Sequence, residues 1–285
     1  MAQHKTHGRF DEDAASKSSL SGPIDGLAAD FLDLPSRTRS PRESGLTLAI
    51  DGGLPTALFR DSVESHAGII DIVKFGWGTA LATQDIQRKL DILRFHGIDY
   101  FFGGTLFEKA LQQDRVERYF DFCAEAGCSW LEISNGTLEI AAEDKARHIA
   151  AAARRFRVMS EVGYKDSERS ERLSAQDWIA EIRSDFTAGA EMVVTEARES
   201  GTSGICGPDG RLRDGLIESI LGAGIPPDAL IFEAPNKVLQ TYFIGLVGCN
   251  VNLGNIAFAD LVGLETLRLG LRSDTLLFAK SGART

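Results

Sequence analysis

Val158-Met-Ser-Glu-Val-Gly-Tyr-Lys165 and, one amphipathic stretch later, Met192-Val-Val-Thr-Glu-Ala-Arg-Glu-Ser-Gly201 share one design. A short apolar, β-branched run carries a glutamate at or just past its end, and a polar turn with glycine follows. Such runs are too short for helices and suit strands covered on both faces. The design recurs at Leu46–Ile50 before Asp51, Ile69–Val73 before Lys74, Tyr100–Phe102 before Gly103-Gly104-Thr105, and Trp130–Ile133 before Ser134-Asn135-Gly136. Leu230–Phe232 before Glu233 and Cys249–Leu253 before Gly254-Asn255 bring the total to eight runs.

Amphipathic segments alternate with them. Residues 83–96, 106–126, 141–156, 174–188, 213–222, 236–247 and 258–271 each place apolar side chains at helical spacing, and Gly97, Gly127, Gly189 and Gly224 stand where helices stop. The expected fold is α/β, a single (β/α)₈ TIM-type barrel with a short N-terminal extension. A doubly wound open sheet is the alternative, but it rarely needs eight such regular units in succession. The expected organisation is a disordered tail over 1–22, an N-terminal helix and basic connector over 23–45, and the catalytic barrel over 46–280. The connector, Pro35-Ser-Arg-Thr-Arg-Ser-Pro-Arg42, reads as a solvated loop or, less often, an anion site.

Of 285 residues, 43% are hydrophobic and 25% charged, which suits a soluble domain with a sizeable core. The net charge of −10 disfavours nucleic acid as a partner. No apolar run is long enough to span a membrane, and the polar N-terminus is no signal peptide. Four cysteines without a repeated CxxC suggest a reduced, cytoplasmic protein without structural zinc. The histidines show no metal-ligand spacing, and no Walker, GxGxxG or GxSxG pattern follows a strand.

In a barrel the chemistry sits on the loops after the strands. Four consecutive strand ends, the fourth to the seventh, carry glutamates: Glu132, Glu161, Glu196 and Glu233. Carboxylates there converge either on a hard divalent cation such as Mg²⁺, with Glu132, Glu161 and Glu196 as the ligand set, or on Lys74, Lys165 and Arg198 in a structural ion-pair ring. Glu233 and Glu199 are further candidates. A planar Arg198 fork suits phosphate or carboxylate. The backbone at Gly103 and Gly104, and Asn252 and Asn255 after the eighth run, suit an anionic substrate.

The motifs Asp71-Ile-Val-Lys-Phe-Gly-Trp-Gly-Thr79, Gly103-Gly-Thr-Leu-Phe-Glu108, Glu132-Ile-Ser-Asn-Gly136, Glu161-Val-Gly-Tyr-Lys165, Glu196-Ala-Arg-Glu-Ser-Gly-Thr202, Phe232-Glu-Ala-Pro235, Val251-Asn-Leu-Gly-Asn255 and Glu265-Thr-Leu-Arg-Leu-Gly-Leu-Arg-Ser-Asp-Thr275 together resemble the phosphosulfolactate synthase family. Asn135 stands where the family more often has aspartate. The resemblance implies a (β/α)₈ barrel and a Mg²⁺-dependent addition of sulfite to phosphoenolpyruvate, the entry to coenzyme M biosynthesis. It implies Lys165 as general acid, Arg198 as an anion clamp, Lys74 in contact with sulfite or phosphoenolpyruvate, and a homo-oligomer. Two alternatives remain: a related barrel enzyme using another nucleophile or enol phosphate, and a non-catalytic, stress-associated family member.

Overall fold

Alternation along the short runs decides which side chains face the barrel axis. Ile72 and Lys74, Trp130 and Glu132, Met159 and Glu161, Val194 and Glu196, and Ile231 and Glu233 are each two residues apart, so each pair shares one face of its strand. The computed structural model describes residues 31–198, 200–213 and 215–278. The chain divides into residues 1–33 and 34–285, and the barrel lies in the second unit. The tail expected over 1–22 and most of the helix expected over 24–32 fall outside the described residues, as does Glu199.

Eight parallel strands form the sheet: β1 (Thr47–Asp51), β2 (Ile72–Phe75), β3 (Asp99–Phe102), β4 (Trp130–Ile133), β5 (Arg157–Val162), β6 (Met192–Thr195), β7 (Leu230–Glu233) and β8 (Leu253–Ala257). Their order is β3-β2-β1-β8-β7-β6-β5-β4, with β1 paired to β8. No strand ladder joins β3 to β4 among the described residues. Side chains bridge them instead, since Ser129 Oγ and Trp130 Nε1 donate to Asp99 at 2.8 and 3.1 Å. This is a nearly closed (β/α)₈ barrel.

Two apolar clusters divide the strand residues by parity. Leu48, Ile72, Phe101, Trp130, Met159, Val194 and Ile231 fill the axis. Ala49, Val73, Phe102, Leu131, Val158, Val193 and Phe232 pack outward against the helices. The inward positions one step further along each strand then bring Lys74 and the four glutamates into a single ring above the apolar plug. Asp51 belongs to the outward set. It is fully buried against Lys89 of the helix Ile86–His96, at 2.5 Å, and its other oxygen accepts from Gly53 and Leu54.

Three local expectations need correction. The second strand begins at Ile72, because Ala67–Ile69 form a 3₁₀ turn. The segment 106–126 is two helices, Gly104–Gln112 and Val116–Glu125, broken where Asp114 adopts a left-handed φ of 53°. The eighth strand is Leu253–Ala257, so Asn252 precedes it at the opposite mouth of the barrel from the glutamates. There Asn252 Nδ2 donates to Asp228 and Leu230 and its Oδ1 accepts from Leu46. All its side-chain bonds hold strand beginnings together, which removes it from a substrate-binding role.

The basic connector is a partly exposed loop that two of its arginines anchor. Arg37 is buried on Glu265 at 2.9 Å, and Arg42 meets Asp71 at 3.0 Å. No helix among the described residues is long and apolar enough to cross a membrane.

Candidate active site

The strand ends build the site. Lys74 Nζ stands 2.9 Å from Glu132 Oε1, 3.4 Å from Glu161 Oε2 and 3.7 Å from Glu233 Oε1, all four side chains being buried. Ion pairs taken out of water persist only when their remaining valences are satisfied. Glu132 meets this fully, because its second oxygen accepts a short hydrogen bond from the Gly104 amide. Glu233 Oε2 accepts from Ala197 N at 3.0 Å, and Glu196 Oε1 from Arg198 N at 2.5 Å.

Two carboxylate oxygens remain, Glu161 Oε1 and Glu196 Oε2, each buried and without a hydrogen-bond partner. Burial, reinforced by the charges of Glu233 and Glu161, pushes the Glu196 carboxyl well above the usual glutamate range. Burial also works to raise Glu161, yet Lys165 and Lys74 bring it down to about 2. Glu132 and Glu233 are raised by burial against the pull of Lys74. For Lys74, burial is outweighed by its three carboxylates, which hold the ammonium well above the ordinary lysine value.

Among the described residues no group of three or more His, Cys, Asp or Glu side chains is arranged around one ion. The expected ligand set of Glu132, Glu161 and Glu196 is therefore not assembled. Lys74 occupies the centre of the carboxylates, and both Glu132 oxygens are committed. The two available oxygens, on Glu161 and Glu196, still suit a hard cation, since Mg²⁺ is commonly held by one or two carboxylates plus water and substrate oxygens.

Lys165 stands across the pit. Its Nζ donates to Thr105 Oγ1 at 3.0 Å, and its amide donates to the Gly136 carbonyl at 3.1 Å. Burial lowers its pKa, but Glu161 and Glu196 more than offset this and the net shift is upward. At neutral pH it is an ammonium, a proton donor rather than a base. Lys74, Lys165, Glu161, Glu196, Glu233 and Trp77 line a cavity of about 20 Å³, with Gly103 and Asn255 also on its wall. Asn255, in a left-handed conformation, thus sits where the sequence suggested. Arg198 does not line the cavity; its side chain is exposed and donates to the Lys165 carbonyl at 3.4 Å.

Sequence reasoning missed the supporting residues. Glu108 is buried and accepts from Ser134 Oγ at 2.7 Å, Thr137 N at 2.9 Å and Leu138 N at 2.6 Å, so it pins the loop after β4. Lys145, also buried, donates to the Glu161 carbonyl at 2.8 Å and pairs with Asp185 at 2.8 Å behind β5. Both lie on helices with acidic and basic neighbours, where a charged residue reads as solvent-facing. Thr105, by contrast, is marked by the sequence as the polar end of the third run, without an assigned role.

The glycines before Thr105 serve close packing. A Cβ on Gly104 would lie 2.4 Å from Ser134 Oγ and 3.1 Å from Glu132 Oε2. Gly104→Ala is expected to force Glu132 off its amide and to cost about 1–3 kcal/mol, as overpacking does. Urea denaturation checks this, and a wild-type midpoint would show that the loop gives way freely.

Residues 35–274 match the family described as (2R)-phospho-3-sulfolactate synthase (ComA). The phosphosulfolactate synthase of Bacillus subtilis is 51% identical over 247 residues, which cover 86% of this chain and 98% of that protein. That of Methanothermobacter thermautotrophicus is 44% identical over 253 residues, covering 87% and 97%. Among solved structures, the carboxyl transferase domain of Rhizobium etli pyruvate carboxylase superposes with a TM-score of 0.52 at 13% identity. The match covers 76% of this chain and 40% of that one, a likeness of fold alone.

Proposed function

The chain belongs to the (2R)-phospho-3-sulfolactate synthase family, and on that footing we propose that it adds sulfite to phosphoenolpyruvate, as a carbon–sulfur lyase written in the synthetic direction, with Mg²⁺ as its cofactor. This places it at the entry to coenzyme M biosynthesis. One observation carries the reading: Lys165 lines the same cavity as two buried carboxylates, Glu161 and Glu196, that each keep an oxygen without a hydrogen-bond partner. A proton donor and the oxygens that would hold a cation thus share one pit.

In the reaction the sulfite sulfur lone pair forms a bond to the methylene carbon of the enol phosphate. The π pair moves toward C2 and the substrate carboxylate, and C2 then takes a proton. Lys165 supplies that proton from its ammonium and recovers it from solvent. Thr105 Oγ1, 3.0 Å from Nζ, holds the donor in place. Lys74 keeps Glu132, Glu161 and Glu233 from repelling one another and so fixes the direction of Glu161. Glu161 and Glu196 would hold Mg²⁺, which when bound supplies positive charge against the developing carboxylate charge. Arg198, exposed beside Lys165, is placed to meet an anionic group arriving from solvent.

The ultraviolet absorbance of the enol reports consumption of phosphoenolpyruvate. It is expected to fall only when sulfite and Mg²⁺ are both present, and to stop falling on addition of EDTA. A folded, Mg²⁺-supplied protein that leaves the absorbance unchanged would overturn the proposal.

A further inference from the structure

The cavity above the glutamates measures about 20 Å³. That is roughly the room one water needs, and a phosphate ester is several times larger. For the whole ester to be seated inside, part of the wall has to move. Lys74, Gly103, Glu161, Glu196, Glu233 and Asn255 are buried, and Ile50, Thr105 and Lys165 are partly so. Trp77 differs, being 48% exposed although its ring lines the same cavity.

Its backbone is also unusual. Trp77 sits at φ 48° and ψ 30°, left-handed values that strain a bulky L-residue. Gly76 precedes it and Gly78 follows at φ 72°, so the aromatic residue is carried between two glycines. The ring rests on Gly52, where an added Cβ would stand 3.0 Å from Trp77 Cζ3. A strained aromatic residue, flanked by glycines and laid over the mouth of a narrow pit, has the features of a substrate cover.

We propose that Trp77 is a substrate-contacting residue that swings off Gly52 to admit the enol phosphate and closes over it, excluding water from the carbon that Lys165 protonates. This rests on the function proposed above. Closing an apolar ring over the substrate favours its bound state, so loss of the ring acts on KM.

Intrinsic fluorescence tests the idea, because Trp130 and Trp178 are 1% and 0% exposed and only Trp77 meets solvent. Titrating the wild type with phosphoenolpyruvate and Mg²⁺ is expected to shift its emission to the blue, and Trp77→Phe to lose the shift while keeping a near wild-type KM. Trp77→Ala is expected to raise KM about tenfold, the loss of one aromatic contact. Gly52→Ala, which displaces the ring and leaves Trp77 in place, is expected to raise KM as well. Wild-type turnover with unmoved emission, or Trp77→Ala with wild-type KM, would overturn the cover and leave the function standing. Absence of both turnover and calorimetric binding of phosphoenolpyruvate would overturn the function, and the cover with it.

Discussion

Lys165→Ala is expected to lower the rate of phosphosulfolactate formation by about 10²–10⁴-fold, the usual contribution of a general acid. KM for phosphoenolpyruvate should change little. The residue is only half-buried and its one side-chain bond is to Thr105, so the fold should survive its removal. The direction of its pKa decides its role: Glu161 and Glu196 outweigh burial and hold the ammonium charged. Activity should therefore persist at alkaline pH beyond the ordinary lysine value, where a free amine would already have lost its proton. Lys165→Arg keeps the charge but binds its proton too tightly to give it up, and should remain slow. Added primary amines should restore part of the Lys165→Ala rate. A wild-type rate in Lys165→Ala would place the proton donor elsewhere.

Lys74→Met is expected to destabilise the protein by about 3–5 kcal/mol and to abolish turnover, because it leaves Glu132, Glu161 and Glu233 buried without their shared cation. In the wild type the Lys74 pKa is raised on folding. Its stabilising contribution is thus complete below the ordinary lysine value and disappears only as pH rises through the folded one. In the variant the pH dependence comes from the carboxylates. With the Glu132 and Glu233 pKa values pushed up by burial in the folded state, that state binds more protons than the unfolded chain, and the deficit shrinks as pH falls. Urea denaturation of both proteins at neutral pH and at about pH 5 should show the gap narrowing. Adding Glu132→Gln to Lys74→Met should recover part of the stability. A gap independent of pH would mean lost packing rather than unpaired charge.

How far the sequence carried the reading depended on how each residue achieves its burial. The barrel rhythm was legible because parallel strands covered on both faces are written as short apolar runs, and β4 and β6 were located to the residue. The glutamates were legible for a related reason: an acid two positions past Trp130, Met159, Val194 or Ile231 must point where those residues point. The eighth strand was misplaced because Leu253-Gly-Asn-Ile-Ala257 looks like a turn. Its glycine is a packing requirement, since a Cβ there would lie 2.9 Å from Ile231 Cγ2. That displacement carried Asn252 to the wrong end of the barrel. The metal set was overdrawn for a different reason. Strand spacing shows that carboxylates converge and does not show that a lysine already stands among them, or that a glycine amide takes the last oxygen of Glu132. Glu108 and Lys145 were hidden because helical charge reads as surface until a loop or strand is seen folded over it.

The central claim is that this pit joins sulfur to the methylene carbon of phosphoenolpyruvate and protonates the neighbouring carbon from Lys165. Carbon and phosphorus NMR of phosphoenolpyruvate labelled at its methylene carbon, incubated with sulfite and Mg²⁺, tests it most directly. The expected result is conversion of the olefinic methylene signal into that of a saturated carbon bearing sulfonate, with the phosphate ester retained, and with both changes absent in EDTA and in Lys165→Ala. Release of inorganic phosphate, or an olefinic signal that persists in the folded wild type, would contradict it.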